Sequence, residues 1–301
     1  MIKILSLVRK ISGIERIKQQ IGKASYDLYA LHLKEHILND STKGVTDKNY
    51  FPYDIIISLT SYGRRIDSVA ITIESLMQQT LKANRIVLWI DEKEKDRELP
   101  TSLMNQISRG LEVKYCRDIR SYTKLIYSLK AYPKDAVITV DDDIIYPYDL
   151  VERFIKEHRQ HPNLILCSKQ HLMKVDKKKR LAPYKKWEKG SRTNEVSILN
   201  FPTGVGGVLY PSGSLDIEVF NESVFLNICP TADDIWFKAM ALRKGTLSKR
   251  INTLSPNGGD YIENPYVQDF GLFHENVGKN RNDEQLHAVF SKYDLYRHLV
   301  G

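Results

Sequence analysis

The fold is decided by the stretch Ala136-Val137-Ile138-Thr139-Val140-Asp141-Asp142-Asp143-Ile144-Ile145-Tyr146-Pro147. Its first apolar, β-branched run predicts a strand buried on both faces. The three carboxylates that follow repel one another, and Mg²⁺ or Mn²⁺ would offset them because these ions prefer carboxylate oxygens. On an extended backbone, Asp141 and Asp143 would point to one side and Asp142 to the other. The stretch therefore predicts a divalent-metal site, with an ordinary Asp-rich turn as the alternative.

Strand and helix patterns alternate around this stretch. Strands are predicted at 54–60, 85–90, 111–115, 136–140 and 164–167, and helices at 69–79, 103–107, 122–132 and 150–157. Repeated β-α-β units predict a mostly parallel central sheet flanked by helices, which is a Rossmann-like α/β fold. Ligands of such sheets bind beyond the carboxyl ends of the strands, and the three acids lie at such an end.

Residues 1–48 are predicted to form an N-terminal helical extension that is basic and amphipathic. Apolar residues follow helical spacing at Ile4, Leu7, Val8, Ile11, Ile14, Ile17 and Ile21. A basic amphipathic helix can lie on an anionic membrane surface. The alternatives are docking on the protein's own core and pairing with a second subunit. Residues 49–301 would form the main domain, with one half at about 53–150 and the other at about 160–290.

Composition restricts the class of protein. A hydrophobic content of 42% and a charged content of 27% are typical of a globular chain, and the net charge of +8 favours an anionic partner. Cys116, Cys167 and Cys229 stand far apart, which excludes a disulfide scaffold and a zinc knuckle and favours a reducing compartment. No apolar stretch is long enough to span a membrane, and no secretory signal is recognised. The predicted location is cytoplasmic, with a peripheral position at the inner face of the membrane as an alternative.

Two segments of the first half carry candidate nucleotide contacts. The first predicted strand ends in hydroxyls, a glycine and two arginines, which suit a nucleotide's ribose and phosphates; its candidates are Thr60, Ser61, Tyr62 and Arg64. Ser and Thr there would alternatively cap the next helix. Lys124 opens the helix before the acid stretch and could approach a sugar or a phosphate. For Lys124 alone, an exposed helical position is slightly favoured.

Two loops of the second half are candidates for the other substrate. Between Lys169 and Arg192 there are ten Lys or Arg residues and two acids, interleaved with Tyr184 and Trp187. This predicts either a solvated loop or a mobile cover over an anionic ligand. In the segment 200–210, Gly206 and Gly207 permit a close approach that a Cβ would block, and a strand bulge is the alternative.

A second acidic site lies at Asp233-Asp234, at the start of a predicted helix. Thr231 could cap this helix with Asp234 as the reciprocal residue. A carboxylate at a helix start in a cleft can alternatively act as a general base toward an acceptor hydroxyl. Further along, His274 could complete a metal shell with Asp143, although a lone His is more often a surface residue; His287 is a weaker candidate.

Taken together, these residues resemble the GT-A glycosyltransferases, and most closely the bacterial family-2-like transferases of surface-polysaccharide gene clusters. The resemblance covers about 54–284 and is carried by the segments 58–62, 141–143, 204–207 and 233–234. It implies a GT-A fold in which Asp141 and Asp143 bind Mn²⁺ or Mg²⁺ bridging the donor diphosphate. It also implies that residues 60–62 line the nucleotide pocket and that Asp233 or Asp234 deprotonates the acceptor.

Two features depart from the family pattern. The pair is Asp-Asp where family-2 enzymes typically have Glu-Asp, and a following Gln-x-x-Arg-Trp signature is absent from the sequence. Inversion and retention at the anomeric carbon therefore both stay open. Asp142 is expected either to bind ribose or to be structural.

The sequence thus predicts a metal-dependent glycosyltransferase that moves a sugar from a nucleotide-sugar donor to a glycan or lipid-linked acceptor. The first alternative is a metal-dependent nucleotidyltransferase acting on sugar phosphates. An alternative of another class is a basic nucleic-acid-binding protein. That class is disfavoured, and no nucleic-acid partner is expected, because the basic residues cluster in one loop and the N-terminal helix whereas the predicted ligand edge is acidic.

Overall fold

The computed structural model describes residues 2–177, 180–255, 259–267 and 281–300, with side chains from Arg16 to Leu299 within these ranges. Its helices are α1 Ile2–Asn39, α2 Val69–Met77, α3 Thr101–Ser108, α4 Thr123–Ala131, α5 Leu150–Gln160, α6 Glu222–Ile228, α7 Asp233–Lys244 and α8 Arg281–Lys292. Its strands are β1 Ile55–Ser61, β2 Arg85–Asp91, β3 Leu111–Cys116, β4 Ala136–Thr139, β5 Ile144–Ile145, β6 Ile165–Cys167, β7 Gln170–Leu172, β8 Asn200–Pro202, β9 Val208–Tyr210, β10 Ser248–Arg250 and β11 Ile262–Glu263.

The central sheet has seven strands in the order β10-β6-β9-β4-β1-β2-β3. The pairs β1-β2, β1-β4, β2-β3 and β6-β10 are parallel, whereas β9 runs antiparallel to both β4 and β6. The predicted α/β fold with a mostly parallel sheet flanked by helices is therefore confirmed. Because β1 and β4 are parallel neighbours, with Ser58 opposite Thr139, the segments that follow them leave the sheet at the same edge.

Alternate residues of the central strands face opposite sides of the sheet and enter different cores. In β1, Ile55 and Ile57 belong to the core covered by α2, α3 and α5, and Ile56 faces the opposite side. The core on the side of α4 and α7 contains Tyr122, Phe225 and Trp236, all fully buried. Helices thus cover both faces, which explains why the strands are continuous apolar runs.

Helix α1 ends at Asn39, nine residues before the predicted limit of the N-terminal extension. Its second half packs on α2 and α3 through Tyr26, Ala30, Leu33 and Ile37, which are buried. These four residues differ from the predicted apolar set, of which Ile17 and Ile21 are largely exposed. Among the described residues, no helix is both long and apolar enough to cross a bilayer.

Candidate active site

The three consecutive aspartates lie in a turn beyond β4. The strand ends at Thr139, and Asp142 and Asp143 already belong to a turn. Arg65 donates to Asp142 Oδ1 from Nη1 (2.7 Å) and to Asp143 Oδ2 from Nη2 (2.5 Å). We call Arg65, Asp142 and Asp143 the arginine group. The expected alternation, with Asp141 and Asp143 on one side, was wrong, because the backbone is no longer extended where the acids lie.

Asp141 turns instead toward a second group. Lys124 Nζ donates to Asp141 Oδ1 at 2.6 Å and lies 3.8 Å from Asp233 Oδ2. We call Lys124, Asp141, Asp233 and Asp234 the lysine group. Lys124 is 7% exposed, so the slightly favoured interpretation as an exposed helical lysine was wrong. Its position follows from α4, whose first turn lies beside β4 and presents Lys124 to the sheet edge.

The lysine group converges on Gly204. A Cβ built on this glycine would lie 3.4 Å from Lys124 Nζ, 3.5 Å from Asp234 Oδ1 and 3.8 Å from Asp141 Oδ1. The backbone N–H of Gly204 also donates to Asp234 Oδ2 at 3.3 Å. The glycine therefore keeps open the space into which the two carboxylates and the ammonium point.

Tyr146 connects the acid turn to the glycine loop, and it was not among the predicted site residues. Its hydroxyl accepts from the backbone N–H of Asp141 (2.8 Å) and donates to the carbonyl of Val205 (3.2 Å). The acid turn and the glycine loop are thus held together by one buried side chain. No local sequence pattern indicates this contact, because Val205 lies 59 positions away along the chain.

The charges of the site shift the pKa values of several groups. Burial and the charge of Asp233 raise the pKa of Asp234 to about 8, with Lys124 opposing the shift. Burial and the charge of Asp141 raise the pKa of Asp143 to about 6, with Arg65 opposing. Burial would lower the pKa of Lys124, but the charges of Asp141 and Asp233 outweigh it and raise that pKa. Lys124 is therefore a permanent cation, whereas Asp234 can exchange a proton near neutral pH.

Helix α7 begins at Asp233, as predicted for a helix start at the acidic pair. The alternative capping box does not form, because the N-cap residue is Ala232 and makes no side-chain cap bond. Asp234 is intermediate in exposure, between the buried and the exposed residues. Both carboxylates lie in the first turn, where the helix dipole favours negative charge.

The other predicted nucleotide contacts occupy different positions around this edge. Ser61 donates to Asp142 Oδ2 (2.7 Å), and Thr60 donates to the carbonyl of Trp89 (3.0 Å). Tyr62 is 55% exposed, and its ring lies 5.8 Å from the Arg65 guanidinium. Arg64 is exposed, and Arg65 rather than Arg64 reaches the acids. The spacing alone could not tell these adjacent arginines apart.

The glycine loop and the basic segment border the second half of the site. Gly206 accepts from Ser168 Oγ through its carbonyl (2.5 Å), and Gly207 has a φ of 93° that favours glycine. Trp187 is buried against Tyr184 and Phe201 and therefore anchors the basic segment. Within the described part of this segment, Trp187 is held in the core, whereas a mobile cover over a ligand would leave its side chains unburied.

The metal expectation depends on the chemistry of these donors. In the described part of the chain, no three His, Cys, Asp or Glu side chains are already arranged as a metal site. Five carboxylates nevertheless share the sheet edge with only two cationic side chains among the described residues. One carboxylate oxygen, Asp233 Oδ2, receives no hydrogen bond from any described residue. This oxygen-rich, negatively charged donor set fits Mg²⁺ or Mn²⁺. His274 lies outside the described residues.

Comparison with known proteins gives distant structural neighbours. No protein-family model and no curated protein sequence matches the chain. One similar solved structure is CMP:2-keto-3-deoxy-manno-octonic acid synthetase complexed with CTP (12% identity, 65% of this chain and 88% of that chain, TM-score 0.38). Another is the inositol-1-phosphate CTP transferase from T. maritima (13% identity, 80% and 97%, TM-score 0.42). A likeness this distant does not assign an activity to the chain.

Proposed function

We propose that the chain is a metal-dependent glycosyltransferase that moves a sugar from a nucleotide-sugar donor to a hydroxyl of a glycan or lipid-linked acceptor. The observation that carries the proposal is the position of Asp234. This carboxylate has a pKa raised to about 8, is partly accessible, and shares the space above Gly204 with Asp141. A general base with a pKa near the working pH is suited to deprotonating a hydroxyl.

The residues divide the reaction between them. Asp141 and Asp143 are paired with Lys124 and Arg65 in this structure, so they would hold Mn²⁺ or Mg²⁺ only after these ion pairs open. The ion would stabilise the charge that develops on a leaving diphosphate. The acceptor oxygen attacks the anomeric carbon, and the bond from that carbon to the diphosphate oxygen breaks. Asp234 takes the acceptor's proton, and the nucleoside diphosphate leaves. Ser61 and Tyr62 lie at the same sheet edge, where the nucleotide would bind.

A nucleotidyltransferase acting on sugar phosphates is the second candidate, and nucleotidyl transfer is also the reaction in the name of the T. maritima neighbour. The presence of a base favours a hydroxyl over this nucleophile. A phosphate monoester already carries about −1.5 to −2 charges at pH 7, so it needs no base such as Asp234. A sugar hydroxyl is neutral and must lose a proton.

The product separates the two candidates. The protein is incubated with nucleotide sugars, Mn²⁺ and glycan or lipid-linked acceptors, and in parallel with nucleoside triphosphates, Mn²⁺ and sugar phosphates. Glycosyl transfer predicts release of nucleoside diphosphate in the first reaction. Pyrophosphate release in the second reaction, with none of the first product, would replace the proposal with nucleotidyl transfer.

A further inference from the structure

Helix α1 carries a second apolar face that its own domain leaves uncovered. This face carries five large apolar residues that are 57% to 73% exposed: Ile17, Ile21, Leu28, Leu31 and Leu38. With Ala24, also exposed, they follow one another in steps of three and four residues as far as Leu31; Leu38 follows seven residues later, with Glu35 at the position between them. We call these six residues the seam. By the 1.5 Å rise per residue, the seam is about 30 Å long.

The seam faces away from the domain. The residues that dock α1 are Tyr26, Ala30, Leu33 and Ile37, and all are buried. In a heptad that places Ile21 and Leu28 at position a, the docking residues fall at positions c and f, opposite the a/d seam. The same helix therefore has one face for its own domain and another that points outward.

Residues 16–24 of α1 do not enter the core of their own domain. Every residue from 16 to 24 is exposed, although Lys23 Nζ lies 5.0 Å from the ring of Tyr266. A helical segment without tertiary packing is marginally stable in water. A partner that covers the seam would supply this packing.

The period of the seam favours a helix as the partner. A repeat of seven residues keeps a narrow a/d stripe in register with a second helix that supercoils around it. A helix lying on a membrane instead needs a wide apolar face bordered by basic residues. Here the stripe is narrow and Glu35 lies within it, which disfavours a membrane surface, although the charged residues that border it are Lys18 and Lys34 as well as Asp27.

The charge pattern of the sequence selects the second copy and its direction. By sequence position, the heptads continue N-terminally through Ile14, Lys10 and Leu7, with Lys10 at position d and Glu35 at position a. A parallel pair would place Glu35 opposite Glu35. An antiparallel pair centred between Gly22 and Lys23 places Glu35 opposite Lys10 and joins only apolar residues in the remaining layers; these layers are Leu38 with Leu7, Leu31 with Ile14, Leu28 with Ile17, and Ala24 with Ile21.

We propose that two copies of this chain form an antiparallel coiled-coil dimer through the seam of α1. In this dimer, residues 7–21 of each helix would lie along residues 24–38 of the other, which are fixed to their domain by the buried docking residues. The proposal is independent of the reaction that the protein catalyses.

Sedimentation equilibrium of the full chain tests the proposal. A dimer is expected, and Leu28→Lys should weaken it at least about 100-fold, because Leu28 occurs in two layers of the pair. Gln19→Lys adds the same charge on an exposed position outside the seam and should leave the dimer unchanged. Circular dichroism checks that both variants fold. A monomeric wild type, or equal effects of the two variants, overturns the proposal.

A charge exchange tests the direction. Glu35→Lys and Lys10→Glu should each weaken the dimer by setting like charges opposite each other, and the double variant should restore it. Failure of the double variant to restore it contradicts the antiparallel register. Flotation with phosphatidylglycerol vesicles tests a membrane as the partner of the seam. If the wild type is monomeric and floats with the vesicles, and Leu28→Lys does not float, a membrane contact replaces the dimer.

Discussion

The arginine group and the lysine group meet at one sheet edge but have different charge balances. Arg65 faces two carboxylates and donates one hydrogen bond to each. Lys124 faces three carboxylates, bonds directly to Asp141 and lies farther from Asp233. Asp234 of the lysine group has its pKa raised to about 8, whereas that of Asp143 in the arginine group rises to about 6. At pH 8, therefore, Asp143 is ionised whereas Asp234 exchanges a proton.

The largest expected effect is on Asp234. Asp234→Asn removes the base but keeps the size of the side chain, so turnover should fall by about 10²–10⁴-fold while donor affinity changes little. Steady-state kinetics and donor titration measure the two quantities. Asp47→Asn, at an exposed position in the segment that precedes β1, is the matched control. Full activity of Asp234→Asn would show that Asp234 is not the general base.

Removal of the two cations compares the groups directly. Lys124→Met leaves three carboxylates without a close counter-charge and should lower the free energy of unfolding by about 3–5 kcal/mol. Arg65→Met leaves two, and the Arg65 side chain is more exposed than that of Lys124 (21% against 9%), so its loss should be smaller. Urea unfolding in the presence of a chelator gives both values. The reverse order would contradict the charge balance described for the groups.

The pH dependence should report the lysine group. Asp234 accepts a proton only when ionised, so kcat/KM should rise as the pH increases through about 8. Asp233→Asn removes a like charge, lowers the pKa of Asp234 and should move this limb to lower pH. Rates measured from pH 5.5 to 9.5 follow the shift. If Asp233→Asn is inactive at every pH, Asp233 rather than Asp234 is the base.

The smallest expected effect is at Gly204. Its added methyl group would make ordinary contacts with Lys124, Asp234 and Asp141, so Gly204→Ala should fold with a stability change below about 1 kcal/mol. The methyl would nevertheless occupy space needed by the acceptor, and KM for the acceptor should rise more than kcat falls. Gly22→Ala, which meets nothing within 4 Å, is the control. An unchanged acceptor KM would place the acceptor elsewhere.

The sequence predicted the fold better than it predicted the site. Continuous apolar strands and amphipathic helices are local patterns, and β1, β2, β4 and the start of α7 appear where those patterns placed them. The partners of the acids depend on tertiary contacts: Arg65 reaches Asp142 across 77 positions of sequence. No local spacing distinguishes Arg64 from Arg65, or reveals that the chain turns after Thr139. The proximity of Gly204 to both acidic segments likewise requires the folded sheet.

Donor binding and proton transfer are proposed to use different carboxylates, with the donor held through Asp141 and Asp143 and the proton taken by Asp234. Calorimetric titration of nucleotide-sugar donor in Mn²⁺ tests this division of roles on the wild type, Asp143→Ala and Asp234→Asn. Asp143→Ala should lose donor binding. Asp234→Asn should bind the donor as tightly as the wild type but should not transfer the sugar. Wild-type donor affinity in Asp143→Ala, or loss of donor binding in Asp234→Asn, would contradict this division of roles.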